Sequence, residues 1–120
     1  MEKKKVLIVE DEATIAKLVA YIIAEMGAEA DIAHNGAEAL QKIAKSKPDM
    51  LIVDLLMPIM SGEELIQEVQ ADPDLADIPI ALLTTRQSAA GYKRETFPLS
   101  SKPFEPAEVK EVVRSLLGLQ

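Results

Sequence analysis

Val6-Leu7-Ile8-Val9-Glu10-Asp11-Glu12 is the stretch on which the fold turns. Four consecutive apolar residues suit a strand covered on both faces, because a half-exposed strand would alternate apolar with polar. Three acids follow at once, so this strand ends by delivering carboxylates. The same pattern recurs along the chain. Met50-Leu51-Ile52-Val53 is a second continuously apolar run and ends on Asp54. Ile78 to Leu83 is a third, ending on Thr84-Thr85, with Pro79 near its start, where a missing N–H donor is tolerated. Glu29 to Ala33 reads as a weaker strand and Leu99-Ser100-Ser101 as a brief last one.

Helical periods fill the intervals. Ile15, Leu18, Val19, Ile22, Ile23 and Met26 recur at spacings of three and four, and Gly27 sits where a left-handed cap belongs. Asn35-Gly36 has turn chemistry, and the helix after it carries Leu40, Ile43 and Ala44 and stops before Pro48. Ser61 with Glu64 makes a capping box for a helix with Leu65, Ile66 and Val69 on its buried stripe, closed by Asp72-Pro73-Asp74. Residues 86–98 predict only a short or irregular fourth helix, since Gly91 interrupts it and Pro98 ends it. Val109, Val112, Val113, Leu116 and Leu117 form a final amphipathic helix. Alternation of strand and helix predicts an α/β fold, a parallel sheet with helices on both faces, as one domain over residues 1–120.

Composition narrows the function classes. The chain is 48% hydrophobic with two Phe, two Tyr and no Trp, so its core is aliphatic. The absence of cysteine excludes disulfides and thiolate zinc sites, and a cytoplasmic location fits. Met1-Glu2-Lys3-Lys4-Lys5 precedes an apolar run too short for a signal peptide, and no stretch approaches the roughly 18 to 20 apolar residues of a membrane span. A soluble chain with no membrane partner is expected. A net charge of -7 disfavours direct nucleic-acid binding. Lys3-Lys4-Lys5 reads as a solvated lead-in, and His34, the sole histidine, as a solvated loop residue.

Open parallel sheets bind ligands beyond the carboxyl ends of their strands. Glu10, Asp11, Asp54, Thr84 and Lys102 all fall at that edge. Carboxylates crowded together repel one another and need a cation, and an oxygen-only donor set suits Mg2+. Beside such an ion Asp54 is a carboxylate nucleophile for a phosphoryl group, with Lys102 to pair with the transferred oxygens and Thr84 to donate a hydroxyl. Taken singly, each residue has a plainer reading: a helix cap, a surface lysine, a β-favouring threonine. Their conjunction in the order acid pair, acid, hydroxyl, lysine carries the chemistry.

Val9-Glu10-Asp11-Glu12, Asp54-Leu55-Leu56-Met57-Pro58-Ile59-Met60-Ser61-Gly62, Leu83-Thr84 and Lys102-Pro103-Phe104 together resemble the response-regulator receiver family of two-component signal transduction over nearly the whole chain. The resemblance implies a flavodoxin-like (βα)5 fold, a doubly wound five-stranded sheet in the order 2-1-3-4-5. It implies that Asp54 accepts a phosphoryl group from a histidine kinase or phosphotransfer protein. Asp11 would ligate Mg2+ directly, Glu10 largely through water, and the backbone carbonyl of Leu56 would be a further ligand beside Asp54. Lys102 would contact the phosphoryl group, Thr84 would move toward it, and Leu56 and Arg86 would tune its lifetime. The Lys102–Pro103 bond is expected to be cis. Such a domain catalyses only its own phosphorylation and dephosphorylation and switches a surface read by a downstream protein or a fused output domain. Oligomeric state does not follow.

The resemblance breaks at two places. Leu99 stands where the family usually carries a Tyr or Phe that swings inward, so a ring-in, ring-out switch is not expected unless Phe97 or Tyr92 takes over through a shifted strand. The interval from Thr84 to Lys102 is also several residues short, which reads either as an atypical output face or as a plain loop deletion. Among other readings, a phosphohydrolase of the haloacid-dehalogenase type wants a second acid where Leu56 stands. A flavodoxin wants a Ser/Thr/Gly-rich loop where Glu10-Asp11-Glu12 stands. A receiver-like scaffold not regulated by phosphorylation draws on Leu99, against the intact acid pair and Lys102.

Overall fold

A computed structural model describes residues 3–102 and 105–119. In chain order the elements are β1 (Lys5–Val9), α1 (Ala13–Glu25), β2 (Glu29–Ala33), α2 (Gly36–Lys45), β3 (Met50–Val53), α3 (Gly62–Ala71), β4 (Ile80–Thr84), β5 (Leu99–Ser101) and α4 (Pro106–Leu117). All neighbouring strands pair in parallel, in the order β2-β1-β3-β4-β5. The three apolar runs form the central strands, where both faces are covered. The edges fall to β2, which carries Glu29 and Asp31, and to the three-residue β5.

Successive strand residues point to opposite faces, which divides the core into two layers. Leu7, Val9, Leu51, Val53 and Leu82 point one way and pack under Ala39, Ile43, Leu65, Ile66 and Val69 of α2 and α3. Val6, Ile8, Met50, Ile52, Ala81 and Leu83 point the other way, under Val19, Ile22 and Ile23 of α1 and Val109 and Val113 of α4. Each aliphatic side chain fully buried in this way contributes about 1.5–3 kcal/mol.

Helix ends follow their capping chemistry. Asn35 caps α2 by accepting from the Glu38 N–H at 2.9 Å. The Ser61 hydroxyl accepts from the Glu64 N–H at 3.1 Å while the Glu64 carboxylate accepts from the Ser61 N–H at 3.2 Å, the reciprocal box expected from sequence. Gly27, just past α1, takes φ 86°.

Several expectations shift. Leu18, counted on the apolar stripe of α1, is 47% exposed, and Ala16 is buried instead. The helix is rotated so that the row Ala16, Val19, Ile23 faces the sheet. Ala44 is exposed on α2 for the same reason, with Ala39 and Ile43 inward. β4 begins at Ile80 rather than Ile78. Between β4 and β5 irregularity goes so far that no helix forms, giving five strands with four helices among the described residues. Short turns take its place, closed by Ala89 N–H to Thr85 carbonyl at 3.1 Å, Tyr92 N–H to Ala89 carbonyl at 3.0 Å and Phe97 N–H to Lys93 carbonyl at 2.8 Å. Gly91 lies within the Ala89–Tyr92 turn, and Pro98 follows the last turn. The expected cis Lys102–Pro103 bond lies outside the described residues. Among the described residues no helix is long and apolar enough to cross a membrane.

Candidate functional site

Sheet register brings the site together. Val9 pairs with Val53, so the next residues, Glu10 and Asp54, leave the sheet side by side. The Asp54 N–H donates to the Val9 carbonyl at 2.9 Å and the Glu10 N–H to the Ala33 carbonyl at 3.0 Å, which extends the pairing past the strand ends. On the other flank Thr84 pairs with Ser101, and the Lys102 N–H donates to the Thr84 carbonyl at 2.9 Å. The same edge therefore carries all five residues singled out in the sequence.

Their environments differ. Glu10 is fully buried, Asp54 is 5% exposed, Thr84 is 2% exposed, and Asp11 faces solvent. Carboxylate oxygens of Glu10, Asp11 and Asp54 lie within 4.8 Å of one another. The Lys102 ammonium reaches into this group, 2.7 Å from Glu10 Oε1, and donates to Asp54 Oδ2 at 3.2 Å. At 2.7 Å the Lys102 ammonium is the charge partner of the buried Glu10 Oε1. Glu10 Oε2 accepts from the Glu12 N–H at 3.2 Å, and Asp54 Oδ1 from the Leu56 N–H at 3.2 Å.

Burial pushes the Glu10 carboxyl up to about 7 against the opposing pull of the Lys102 ammonium. Burial also draws Lys102 down, but its contacts with Glu10 and Asp54 outweigh this and hold the ammonium above its ordinary value. One cation thus faces three carboxylates. The surplus negative charge and the all-oxygen donors are what a hard divalent cation would complete.

Some contributors escaped the sequence. A Cβ on Gly62 would lie 2.0 Å from the Asp54 carbonyl oxygen and 2.7 Å from Val53 Cγ1, so only glycine lets α3 sit directly on the end of β3. Gly36 is similarly pressed against Met60, whose Cγ would lie 2.6 Å from an added Cβ, and the Gly36 N–H donates to the Met60 carbonyl at 2.9 Å. The pair ties α2 to the loop after Asp54. The sequence offered only a turn reading for Gly36 and no reading for Gly62 beyond its place in the motif, because both needs arise from tertiary contact. Ile59 in the same loop has φ 69°, rare for a β-branched residue, and is 84% exposed. Leu56, 69% exposed, and the exposed Arg86 flank the site in sequence. His34 pairs with Glu38 at 3.4 Å on the surface. Leu99 begins β5 opposite Leu82, with no shift of the strand, and Tyr92 and Phe97 both lie before it.

A family model described as the response regulator receiver domain matches residues 6–114. The chain belongs to that family. This receiver is 34% identical over 115 residues to a Porphyra purpurea protein named "Probable transcriptional regulator ycf29", covering 92% of this chain and 55% of that protein. It is 32% identical over 117 residues to response regulator MprA of Mycobacterium ulcerans (strain Agy99), covering 94% of this chain and 50% of that one. The solved structure of the chemotaxis response regulator CheY4 of Vibrio cholerae superposes with a TM-score of 0.86 at 31% identity, covering 97% of this receiver and all of that chain. The receiver spans about half the length of the curated relatives it matches. Receivers are signalling domains of two-component systems and generally bind Mg2+ at an acidic cluster, the type of cluster that Glu10, Asp11 and Asp54 form here.

Proposed function

We propose that this receiver is a phosphorylation-controlled interaction module whose phosphoryl acceptor is Asp54. The observation that carries the reading is the placement of the Asp54 carboxylate, 5% exposed, between a cluster of two further acids and the Lys102 ammonium. Glu10, Asp11, Asp54 and the backbone carbonyl of Leu56 would hold Mg2+, Glu10 mainly through water. When bound, the ion neutralises charge between the acceptor carboxylate and the incoming phosphoryl group.

The residues of the chain supply the rest. A carboxylate oxygen of Asp54 attacks the phosphorus of a phosphohistidine. The P–N bond breaks, its electron pair stays on the departing imidazole nitrogen, and Asp54 becomes a mixed acyl phosphate. Lys102, already 3.2 Å from Asp54 Oδ2, is positioned to pair with a transferred oxygen. Thr84 offers its hydroxyl from the adjacent strand end and moves toward the phosphoryl group. The apolar Leu56 and the cationic Arg86 set how readily water hydrolyses the product. Self-phosphorylation and self-dephosphorylation are its whole catalysis, so the domain is a switch rather than a turnover enzyme.

The donor is a sensor histidine kinase or phosphotransfer protein, and the output is a downstream protein or a fused domain of the kind that relatives twice this length leave room for. A scaffold indifferent to phosphate would have no use for a fully buried Glu10 beside a buried Asp54, an arrangement that costs stability unless it binds something. The test is incubation with Mg2+ and phosphoramidate, followed by intact-mass measurement. Wild type should gain one phosphoryl group and Asp54→Asn none; equal labelling of both, or none on wild type, would sink the acceptor assignment.

A further inference from the structure

Asn35 is the only asparagine of the chain, and a glycine follows it. In a flexible chain that dipeptide is chemically unstable. Glycine has no Cβ to hinder approach of its own nitrogen to the neighbouring carboxamide, and its backbone turns freely. Here three contacts hold the reaction off. The Gly36 N–H is engaged, donating to the Met60 carbonyl at 2.9 Å. The Asn35 carboxamide is turned away, its Oδ1 accepting from the Glu38 N–H at 2.9 Å. Asn35 itself is extended, at ψ 173°, which keeps the Gly36 nitrogen out of the plane that a five-membered ring requires.

The first of these holds is tertiary. Met60 belongs to the loop between Asp54 and α3, and its thioether lies over the buried Gly36: Met60 Cγ and Sδ would lie 2.6 and 2.9 Å from a Cβ built there. Gly36 therefore stays bonded and covered only while the loop rests on α2. The loop has the marks of a segment that opens locally. It carries no strand or helix between Val53 and Gly62, it exposes Leu56, Pro58 and Ile59, and Ile59 stands at φ 69°.

We propose that Asn35 is a self-modification site gated by the contact between Gly36 and Met60. When the loop lifts, ψ of Asn35 turns, and the Gly36 nitrogen gives up its proton and attacks the carboxamide carbon, closing a five-membered imide. The bond from that carbon to the side-chain nitrogen breaks, and the nitrogen leaves as ammonia, taking the proton. Water then opens the ring. Attack at the side-chain carbonyl gives aspartate with the main chain restored; attack at the main-chain carbonyl gives isoaspartate. Overall one water is consumed and one ammonia released. The two products differ in their effect on the loop. Aspartate caps a helix as well as asparagine does. Isoaspartate lengthens the main chain by one carbon while Ala39 and Ile43 keep α2 packed on the sheet, so the Gly36 N–H no longer meets the Met60 carbonyl. One opening thus leaves a permanent loosening of the loop beside the acidic cluster, whether or not Asp54 carries a phosphoryl group.

With a single asparagine, deamidation of the whole chain reads Asn35 directly. The protein is aged in mildly alkaline buffer without urea, at urea concentrations below its unfolding transition, and fully unfolded. Peptides containing residue 35 are followed by mass spectrometry and scored for isoaspartate with isoaspartyl methyltransferase. The unfolded chain is expected to react more than about tenfold faster than the folded one, and the folded-state rate to stay flat below the transition, as local opening requires. Met60→Ala, which uncovers Gly36, should raise the folded-state rate several-fold, and Asn35→Gln, whose ring would be larger, should abolish the reaction. Equal rates folded and unfolded, a folded-state rate that climbs with urea as global unfolding does, or an unaltered rate in Met60→Ala overturns the gating. Asn35→Asp is expected to melt with wild type, and the isoaspartate fraction of aged protein below both. If that fraction melts together with Asn35→Asp, the effect on the loop is overturned.

Discussion

Replacing Lys102 with Met would leave Glu10, fully buried, and Asp54, 5% exposed, facing each other without a counter-charge. Stripping one partner from a buried ion pair costs about 3–5 kcal/mol, far more than a surface pair is worth, because the remaining charge has lost both water and partner. Lys102→Met is therefore expected to melt well below wild type in EDTA and to recover part of the loss in millimolar Mg2+, through preferential binding to the folded state. Calorimetric melts decide it, and identical EDTA melts would contradict the electrostatic account. Gly62 is governed by sterics instead. An added Cβ would lie 2.0 Å from a backbone oxygen, which cannot rotate away as a side-chain tip could. Gly62→Ala should cost about 3 kcal/mol in urea unfolding and slow phosphorylation of Asp54, because α3 must lift off the strand end. Unchanged stability would mean that the close approach is dispensable. That Glu10, Asp54 and Thr84 stand at strand ends was legible in the sequence because apolar runs announce where strands stop. Gly62 was not, because its constraint comes from an atom eight residues back that only the folded chain brings near.

Among elements, the segment from Asp54 to α3 combines a favourable end with an unfavourable middle. Ser61 and Glu64 satisfy the N-terminus of α3 reciprocally, while Ile59 holds φ 69° with its side chain 84% exposed. The left-handed region costs an L-residue roughly 1–2 kcal/mol, and a side chain so exposed recovers little by packing. Ile59→Gly relieves the strain but enlarges the conformational entropy of the unfolded chain, so a net gain of about 0.5–1 kcal/mol is expected from urea unfolding. A loss would show that Ile59 makes a stabilising contact. The capping box was legible from a four-residue pattern because its physics is local. The connection after β4 was legible only as irregular: Gly91 and Pro98 forbid a long helix, but that Arg94 would donate to the Ala89 and Tyr92 carbonyls depends on where those carbonyls point in space. The rotation that exposes Leu18 was hidden for a related reason, since two apolar rows of α1 compete and the sheet surface chooses between them.

For the molecule as a whole, the alternation of apolar runs and helical periods foretold a covered parallel sheet, and the family resemblance supplied the strand order. Periodicity alone could not, because strand order is a matter of long-range pairing. The charged β2 and the short β5 are nevertheless what edge positions require. The same sheet makes its two core layers interdependent. Leu51 belongs to the α2–α3 layer and its neighbours Met50 and Ile52 to the α1–α4 layer, so neither layer can melt without unpairing strands that anchor the other. Leu51 is wholly buried in β3, and Leu51→Ala removes apolar contact from one layer only. Its expected cost is about 2–5 kcal/mol. Coupling through the sheet should carry that cost to the entire chain: the urea midpoint falls, the slope is unchanged, and backbone dichroism and tyrosine fluorescence report the same midpoint. Tyr92 packs against the damaged layer and Tyr21 lies on α1, over the intact one, so single-tyrosine versions made with Tyr21→Phe and Tyr92→Phe report the layers separately. Two separated midpoints would show that the layers unfold independently and that the sheet does not make them one cooperative unit.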